Sequence, residues 1–155
     1  MTTLKILVFS DSHRARAGMY DAILAHTPDQ IIHLGDLVED AEELSYVFPQ
    51  LPFCMVAGNC DGWCTTPTVR NLVFEGKRFL LSHGHLWRVK AGYDAAIAEG
   101  RKAGADLLLF GHTHSAHLEQ LEDGMWVMNP GSARNSYGLV TLDGDSMTCE
   151  LLKME

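Results

Sequence analysis

Long apolar stretches are missing from this sequence. Runs such as Ile6-Leu7-Val8-Phe9 and Leu107-Leu108-Leu109-Phe110 are far short of the roughly twenty residues a membrane-spanning helix needs. The opening Met1-Thr2-Thr3-Leu4-Lys5 leads straight into a strand-like segment, with no basic region ahead of a long apolar one. No secretory signal is expected, and a cytoplasmic location is. Cysteine is sparse: Cys54, Cys60, Cys64 and Cys149 show no zinc-type pairing, although Cys60 and Cys64 lie four apart. That usage agrees with a reducing compartment rather than a disulfide scaffold, and Cys54 and Cys149 read as small buried apolar residues. Positive charge is short as well, with 12 Lys and Arg against 20 Asp and Glu and a formal net charge of -8. No basic stripe appears, so stable nucleic-acid binding is not expected. Internal repeats, low-complexity tracts and linkers are also lacking.

What remains is an ordinary globular composition, 46% hydrophobic and 21% charged over 155 residues, enough for one domain over 1–155 with a sizeable core. Leu4 to Phe9 reads as a buried strand closed by the turn-like Ser10-Asp11-Ser12. Met19, Tyr20, Ile23 and Leu24 recur at helical spacing before Pro28. Gln30 to Leu34 is a second short strand, and Ala41, Leu44, Val47 and Phe48 suggest a second helix stopped by Pro49 and Pro52. Phe53 to Ala57 is a third strand. Val69 to Phe74 and Arg78 to Ser82 flank a hairpin turn at Glu75-Gly76-Lys77. A third helix is expected over Tyr93 to Ala103 with Gly104 as its stop, then a strand over Asp106 to Phe110. Turns at Glu122-Asp123-Gly124 and Asp143-Gly144-Asp145 join the remaining strands. The order βαβαβ, hairpin, αβ, hairpins implies mixed sheets covered by helices.

Five of these strand-like runs end in polar clusters: Asp11-Ser12-His13, Gly35-Asp36, Gly58-Asn59, Ser82-His83-Gly84-His85 and Gly111-His112-Thr113-His114. Each alone is as readily a cap or a turn. Five in one short domain point to convergence on something cationic, because loops at the carboxyl ends of strands gather over one edge of a sheet. Residues two apart, as in Asp11/His13 and His112/His114, either point the same way or diverge to neighbouring ions. Mixed oxygen and imidazole donors without an obligatory thiolate suit Mn²⁺, Fe²⁺, Ni²⁺ or Zn²⁺. Seven candidate ligands exceed the needs of one ion but suit a pair about 3.5–4 Å apart that shares a carboxylate.

The ordered set Asp-x-His, Gly-Asp, Gly-Asn-x-Asp, Gly-His and Gly-His-Thr-His resembles the calcineurin-like metallophosphoesterase superfamily, from Leu4 to Leu151. The short chain, the Gly-Asn-Cys-Asp form and Asn129-Pro130-Gly131-Ser132 resemble its small bacterial and archaeal phosphodiesterases of the YfcE type. The resemblance implies an αββα sandwich, an α/β (α+β mixed) fold of two mixed β-sheets flanked by helices. By motif, it implies that Asp11, His13 and His114 hold one metal, that Asn59, His83 and His112 hold a second, and that Asp36 bridges them. It further implies two divalent cations per chain, Mn²⁺ foremost, and in-line attack of a metal-bridging hydroxide on a phosphate diester. Many members carry His after the Asn; here Cys60, a weak hydrogen-bond donor, stands in that place. Asn59, Cys60, Asp61 and His85 are the catalytic candidates, with Asp61 orienting a neighbouring ligand or histidine. Asn59, His83 and Arg134 are the substrate-binding candidates, and Asn129 and Ser132 are expected to line the pocket. Trp63, Trp87 and Trp126 are expected in the core first, although Trp63 or Trp87 could stack on a substrate ring, and His26, His33 and His117 are expected to be structural or solvated.

The partner expected is therefore a small phosphodiester substrate, with no membrane and, by family analogy, a homo-oligomer. Two other functions remain open: a phosphomonoesterase acting on a small phosphorylated metabolite, and a non-catalytic scaffold like the metallophosphoesterase-like subunit of retromer. Pocket shape depends on loops such as Gly62 to Pro67 and Leu86 to Gly92, whose conformation the residue pattern does not fix.

Overall fold

The computed structural model describes residues 3–13, 16–36, 38–58, 61 and 66–154. Asn59, Cys60, Trp63 and Cys64, all singled out above, lie outside the described residues.

Strand β1 (Thr3–Phe9) illustrates the whole arrangement. Successive side chains of a strand point to opposite faces, and both faces here are apolar. Ile6 and Val8 enter one core, while Leu7 and Phe9 enter another. A strand covered on both sides must lie inside a layered structure. Its parallel neighbours β2 (Gln30–His33) and β3 (Phe53–Met55) follow through helices α1 (Arg16–His26) and α2 (Val38–Val47). The crossovers place Met19, Ala22, Ile23 and Leu44 against Leu7, Phe9 and Ile31.

The second sheet begins with the hairpin of β4 (Val69–Phe74) and β5 (Lys77–Ser82). Helix α3 (Asp94–Lys102) leads to β6 (Leu107–Leu109), parallel to β5. Strands β7 (His117–Gln120) and β8 (Trp126–Asn129) complete that sheet in the order β4-β5-β6-β8-β7. The last hairpin, β9 (Ser136–Asp143) and β10 (Ser146–Lys153), returns to the first sheet, whose order is β10-β9-β1-β2-β3. Phe79, Leu81, Leu107, Leu109 and Met128 face Ile6, Val8, Ile32 and Val140 across the seam between the sheets. Leu80, Leu108 and Val127 face outward, onto Ala96 of α3. The architecture is therefore the four-layer αββα sandwich of two mixed sheets.

The elements match the sequence pattern closely, with local differences. β3 stops at Met55, not Ala57, because Ala57 N–H leaves the sheet to bond Pro67 O at 2.8 Å. The segment 85–92 contains two single 3₁₀ turns, His85–Trp87 and Val89–Ala91, joined by Arg88 in the left-handed region. Trp87 packs, partly buried, against the Leu80–Val89–Ala96 cluster of the second sheet's outer core, the placement expected first for the tryptophans. The Gly104 stop is realised as a Schellman motif. Ala105 N–H bonds Gly100 O, Gly104 N–H bonds Arg101 O, and Gly104 has φ 67°, a conformation that only glycine adopts without strain.

Candidate metal centre

Parallel pairing turns the carboxyl ends of β1, β2 and β3 to one edge of the first sheet, and β5 and β6 do the same in the second. The backbone locks these ends together: Asp11 N–H bonds Gly35 O at 2.9 Å, and Gly111 N–H bonds His83 O at 2.8 Å. Asp11, His13, Asp36, His112 and His114 all have positive φ, at 51°, 42°, 48°, 71° and 62°. For residues bearing a Cβ this conformation costs about 1–2 kcal/mol each, and clusters of such strain accompany functional sites. Gly58 lets the loops close in. A Cβ there would lie 2.3 Å from Asp36 Oδ1 and 2.9 Å from the His83 ring.

The side chains converge accordingly. Asp11, His13, Asp36 and His114 each offer one donor atom, all within 4.8 Å of one another, and Asp36, His83 and His112 form a second such group. Asp36 belongs to both. The Asp11/His13 pair thus points to one place, whereas His112 and His114 diverge to the two groups. His83 Nε2 lies 3.3 Å from Asp36 Oδ2 and 3.5 Å from Asp11 Oδ1, and His114 Nε2 lies 3.2 Å from Asp11 Oδ1. His112 Nδ1 is 3.2 Å from His83 Nε2.

Neighbouring groups fix which atoms face inward. His83 Nδ1–H donates to Leu34 O at 2.8 Å, which leaves Nε2 directed at the carboxylates. Asp11 Oδ2 accepts from Ser10 Oγ at 2.7 Å and from His112 N–H at 2.9 Å. Asp11 Oδ1 and His13 Nε2 are buried and have no hydrogen-bond partner among the described residues. Buried acceptors are rarely left so, and a cation between them would satisfy both. Borderline divalent ions suit this set of carboxylate and imidazole donors, so the residues fit a metal site. Burial lowers the His83 pKa, but the Asp36 hydrogen bond and the charges of Asp11 and Asp36 outweigh it and leave the group above 6.5. His112 and His85 are shifted down, by burial first and the nearby His83 second.

The other candidates lie further out. Asp61 accepts backbone N–H bonds from Gly58 (2.7 Å), Asp36 (2.9 Å) and Val38 (2.7 Å). It acts on the main chain that carries Asp36, a neighbouring ligand candidate. His85 flanks the second group, with ring centroids 5.6 Å from His83 and 6.2 Å from His112. Its buried Nδ1 has no hydrogen-bond partner among the described residues. Asn129 and Ser132 are buried, and their polar atoms are engaged rather than lining a pocket. Asn129 Nδ2 donates to Gly111 O and Thr113 Oγ1, and Ser132 Oγ donates to Asp11 O. They buttress the loops, as buried polar groups need partners and these bonds supply them. Arg134 is exposed, its N–H bonded to Ser132 Oγ at 3.3 Å.

Sequence reasoning passed over Ser12 and Asp40 and set His33 aside. Ser12 Oγ donates to Asp40 Oδ2 at 2.6 Å and lies 3.0 Å from His33 Nε2. A Ser between two ligands and a His ending the strand before Gly35-Asp36 were the available signals. His26 bonds Tyr137 Oη at 2.8 Å and His117 bonds Glu119 at 2.8 Å, both away from the two groups.

Comparison with known proteins agrees with this geometry. The profile of the "Calcineurin-like phosphoesterase superfamily domain" matches residues 4–151. The probable metallophosphoesterase YsnB of Bacillus subtilis is 32% identical, over 94% of this chain and 88% of its own. The crystal structure of Vps29 from Chaetomium thermophilum superposes with a TM-score of 0.81 at 21% identity, covering 97% of this chain and 88% of that one. The phosphoesterase YfcE of E. coli superposes with a TM-score of 0.66 at 22% identity, covering 98% and 100%.

Proposed function

Because this chain belongs to the calcineurin-like phosphoesterase superfamily, we propose that it is a single-domain phosphodiesterase using two divalent cations, with Mn²⁺ the best suited. The observation that carries the reading is the pair of donor groups meeting at Asp36. Asp11, His13 and His114 would hold one cation, Asn59, His83 and His112 the other, and Asp36 would touch both. When bound, such ions offset the charge of phosphoryl oxygens and lower the pKa of water at the site.

The chain's own groups do the rest. Leu34 O holds the His83 tautomer with Nε2 inward. Asp61 fixes the backbone of Asp36. His85, whose lowered pKa keeps it neutral near pH 7, carries one ring N–H to donate to a phosphoryl oxygen. Water attacks phosphorus in line with the departing oxygen, one P–O bond forms as the other breaks, and the leaving oxygen takes up a proton. Cys60, in place of the histidine many members carry, weakens proton delivery to a poor leaving group. The Gly-Asn-Cys-Asp form resembles the small phosphodiesterase branch of the family, and the substrate class proposed is a small phosphodiester handled in the cytoplasm.

The test compares bis(p-nitrophenyl) phosphate with p-nitrophenyl phosphate in the presence of Mn²⁺. Diester turnover should dominate, and Asp36→Asn or His112→Ala should reduce it by at least about a hundredfold while the fold is retained. A clear monoester preference would overturn the substrate class. The likeness to Vps29 favours one other reading, a protein-binding scaffold. Failure of the metal-loaded chain to cleave any activated diester would support that reading instead.

A further inference from the structure

His33, at the end of β2, is almost completely buried, as are Ser12 and Asp40. The directions of their hydrogen bonds are forced. Gly35 N–H can only donate, so His33 Nδ1 accepts it at 3.1 Å. Ser12 Oγ gives its hydrogen to Asp40 Oδ2 at 2.6 Å, so the same oxygen accepts His33 Nε2–H at 3.0 Å. The result is one chain, Gly35 N–H to His33, His33 to Ser12, Ser12 to Asp40, in which the imidazole is neutral. Burial holds it so, lowering its pKa from 6.5 to about 4 against the pull of Asp61, Asp40 and Asp11.

The chain's end points give it a role. Ser12 sits between Asp11 and His13, and Gly35 precedes Asp36. Those three ligand candidates all have positive φ, a conformation that persists only where surroundings impose it. Asp40 belongs to the first turn of α2, the helix that follows Asp36. The relay therefore ties the β1 loop, the β2 loop and the start of α2 at one point. None of these three hydrogen bonds reaches the loops of His83 or His112.

We propose that Ser12, His33 and Asp40 are positioning residues that set the spacing of Asp11 and His13 relative to Asp36, and so tune the metal affinity of that donor group selectively over the group of His83 and His112. This rests on the reading that these side chains hold cations. Outer hydrogen-bond partners of metal ligands typically contribute ten- to a hundredfold in affinity. Ser12→Ala removes the central hydroxyl with little change in volume. Asp40→Asn keeps an oxygen able to accept from Ser12 Oγ, whereas Asp40→Leu does not.

The experiment is Mn²⁺ binding to the full chain by calorimetry and electron paramagnetic resonance, without substrate, alongside thermal melts. Wild type should bind two ions. Ser12→Ala and Asp40→Leu should weaken one of them by about tenfold or more and leave the other within about twofold, and Asp40→Asn should recover most of the loss. Unchanged affinity at both sites in cooperatively folded Ser12→Ala would overturn the relay and leave the metal reading intact, as would equal weakening of both. Absence of Mn²⁺ binding to wild type would overturn the metal reading and the relay together.

Discussion

At the residue scale, the donor groups depend on backbone that an ordinary side chain would not tolerate. Gly58 has no Cβ where one would stand 2.3 Å from Asp36 Oδ1, inside any non-bonded contact. Gly58→Ala should therefore displace the shared carboxylate and reduce diester turnover by at least about a hundredfold, at a stability cost of only about 1–3 kcal/mol. Parallel turnover and urea-unfolding measurements would reveal whether the two losses separate in this way. His33 yields a pH dependence. Its folded pKa of about 4 lies below the unfolded 6.5, so between those values the unfolded chain binds the extra proton. Its contribution is fully present above pH 6.5 and is lost as pH falls toward 4, by roughly 3 kcal/mol in all. Unfolding free energies of wild type and His33→Gln at pH 7, 5.5 and 4.5 should show a shallower slope in the variant.

Residues announced themselves in the sequence when their chemistry was local. Asp11, His13, Asp36, His83, His112 and His114 each follow an apolar run and sit beside a turn, so type and place could be read together. Asn129, Ser132 and Asp61 were legible as polar groups near the motifs but not in their work, since each also bonds a backbone atom far away in the chain, Gly111 O, Asp11 O and Asp36 N–H respectively. His33 was invisible for the opposite reason: on an apolar strand its burial looks like packing, and the relay exists only once Ser12 and Asp40 arrive from other elements.

At the scale of elements, strand and helix placement followed from period and punctuation, and the misses are where those signals stop. The 3₁₀ turns at 85–91 have no repeating apolar pattern to announce them, and β3 ends on a hydrogen bond to Pro67 that no local rule contains. The β4–β5 hairpin turns through Glu75 and Gly76, with φ of 50° and 81°. Positive φ at both central positions marks the turn that matches strand twist, for which Asn-Gly is preferred. Glu75→Asn should therefore stabilise the protein by about 0.5–1 kcal/mol, visible as a Tm higher by about 1–4 °C with no change in Mn²⁺ affinity.

At the scale of the molecule, the fold brings Asp11 and Asp36, both buried, into one small volume of a chain whose net charge is already -8. Removing that mutual repulsion is a global stabilisation that a bound cation provides. Mn²⁺ at a hundredfold excess over its dissociation constant should add about 2.7 kcal/mol per site, raising Tm by several degrees. EDTA should reverse the rise, and Asp36→Asn should lose most of it. Differential scanning calorimetry with and without metal checks this independently of any substrate. Among the described residues no helix is long and apolar enough to cross a membrane.

The donor groups straddle the seam between the two sheets: Asp11, His13 and Asp36 stand on one, His83, His112 and His114 on the other. Their mutual alignment is thus set by how Val8, Ile32, Leu81 and Leu109 fill the layer in between. A methyl group lost from that filling, several residues from any ligand, would let one half drift against its fellow. Turnover would then fall further than stability alone explains, and the interior packing of this protein becomes part of its catalytic tolerance.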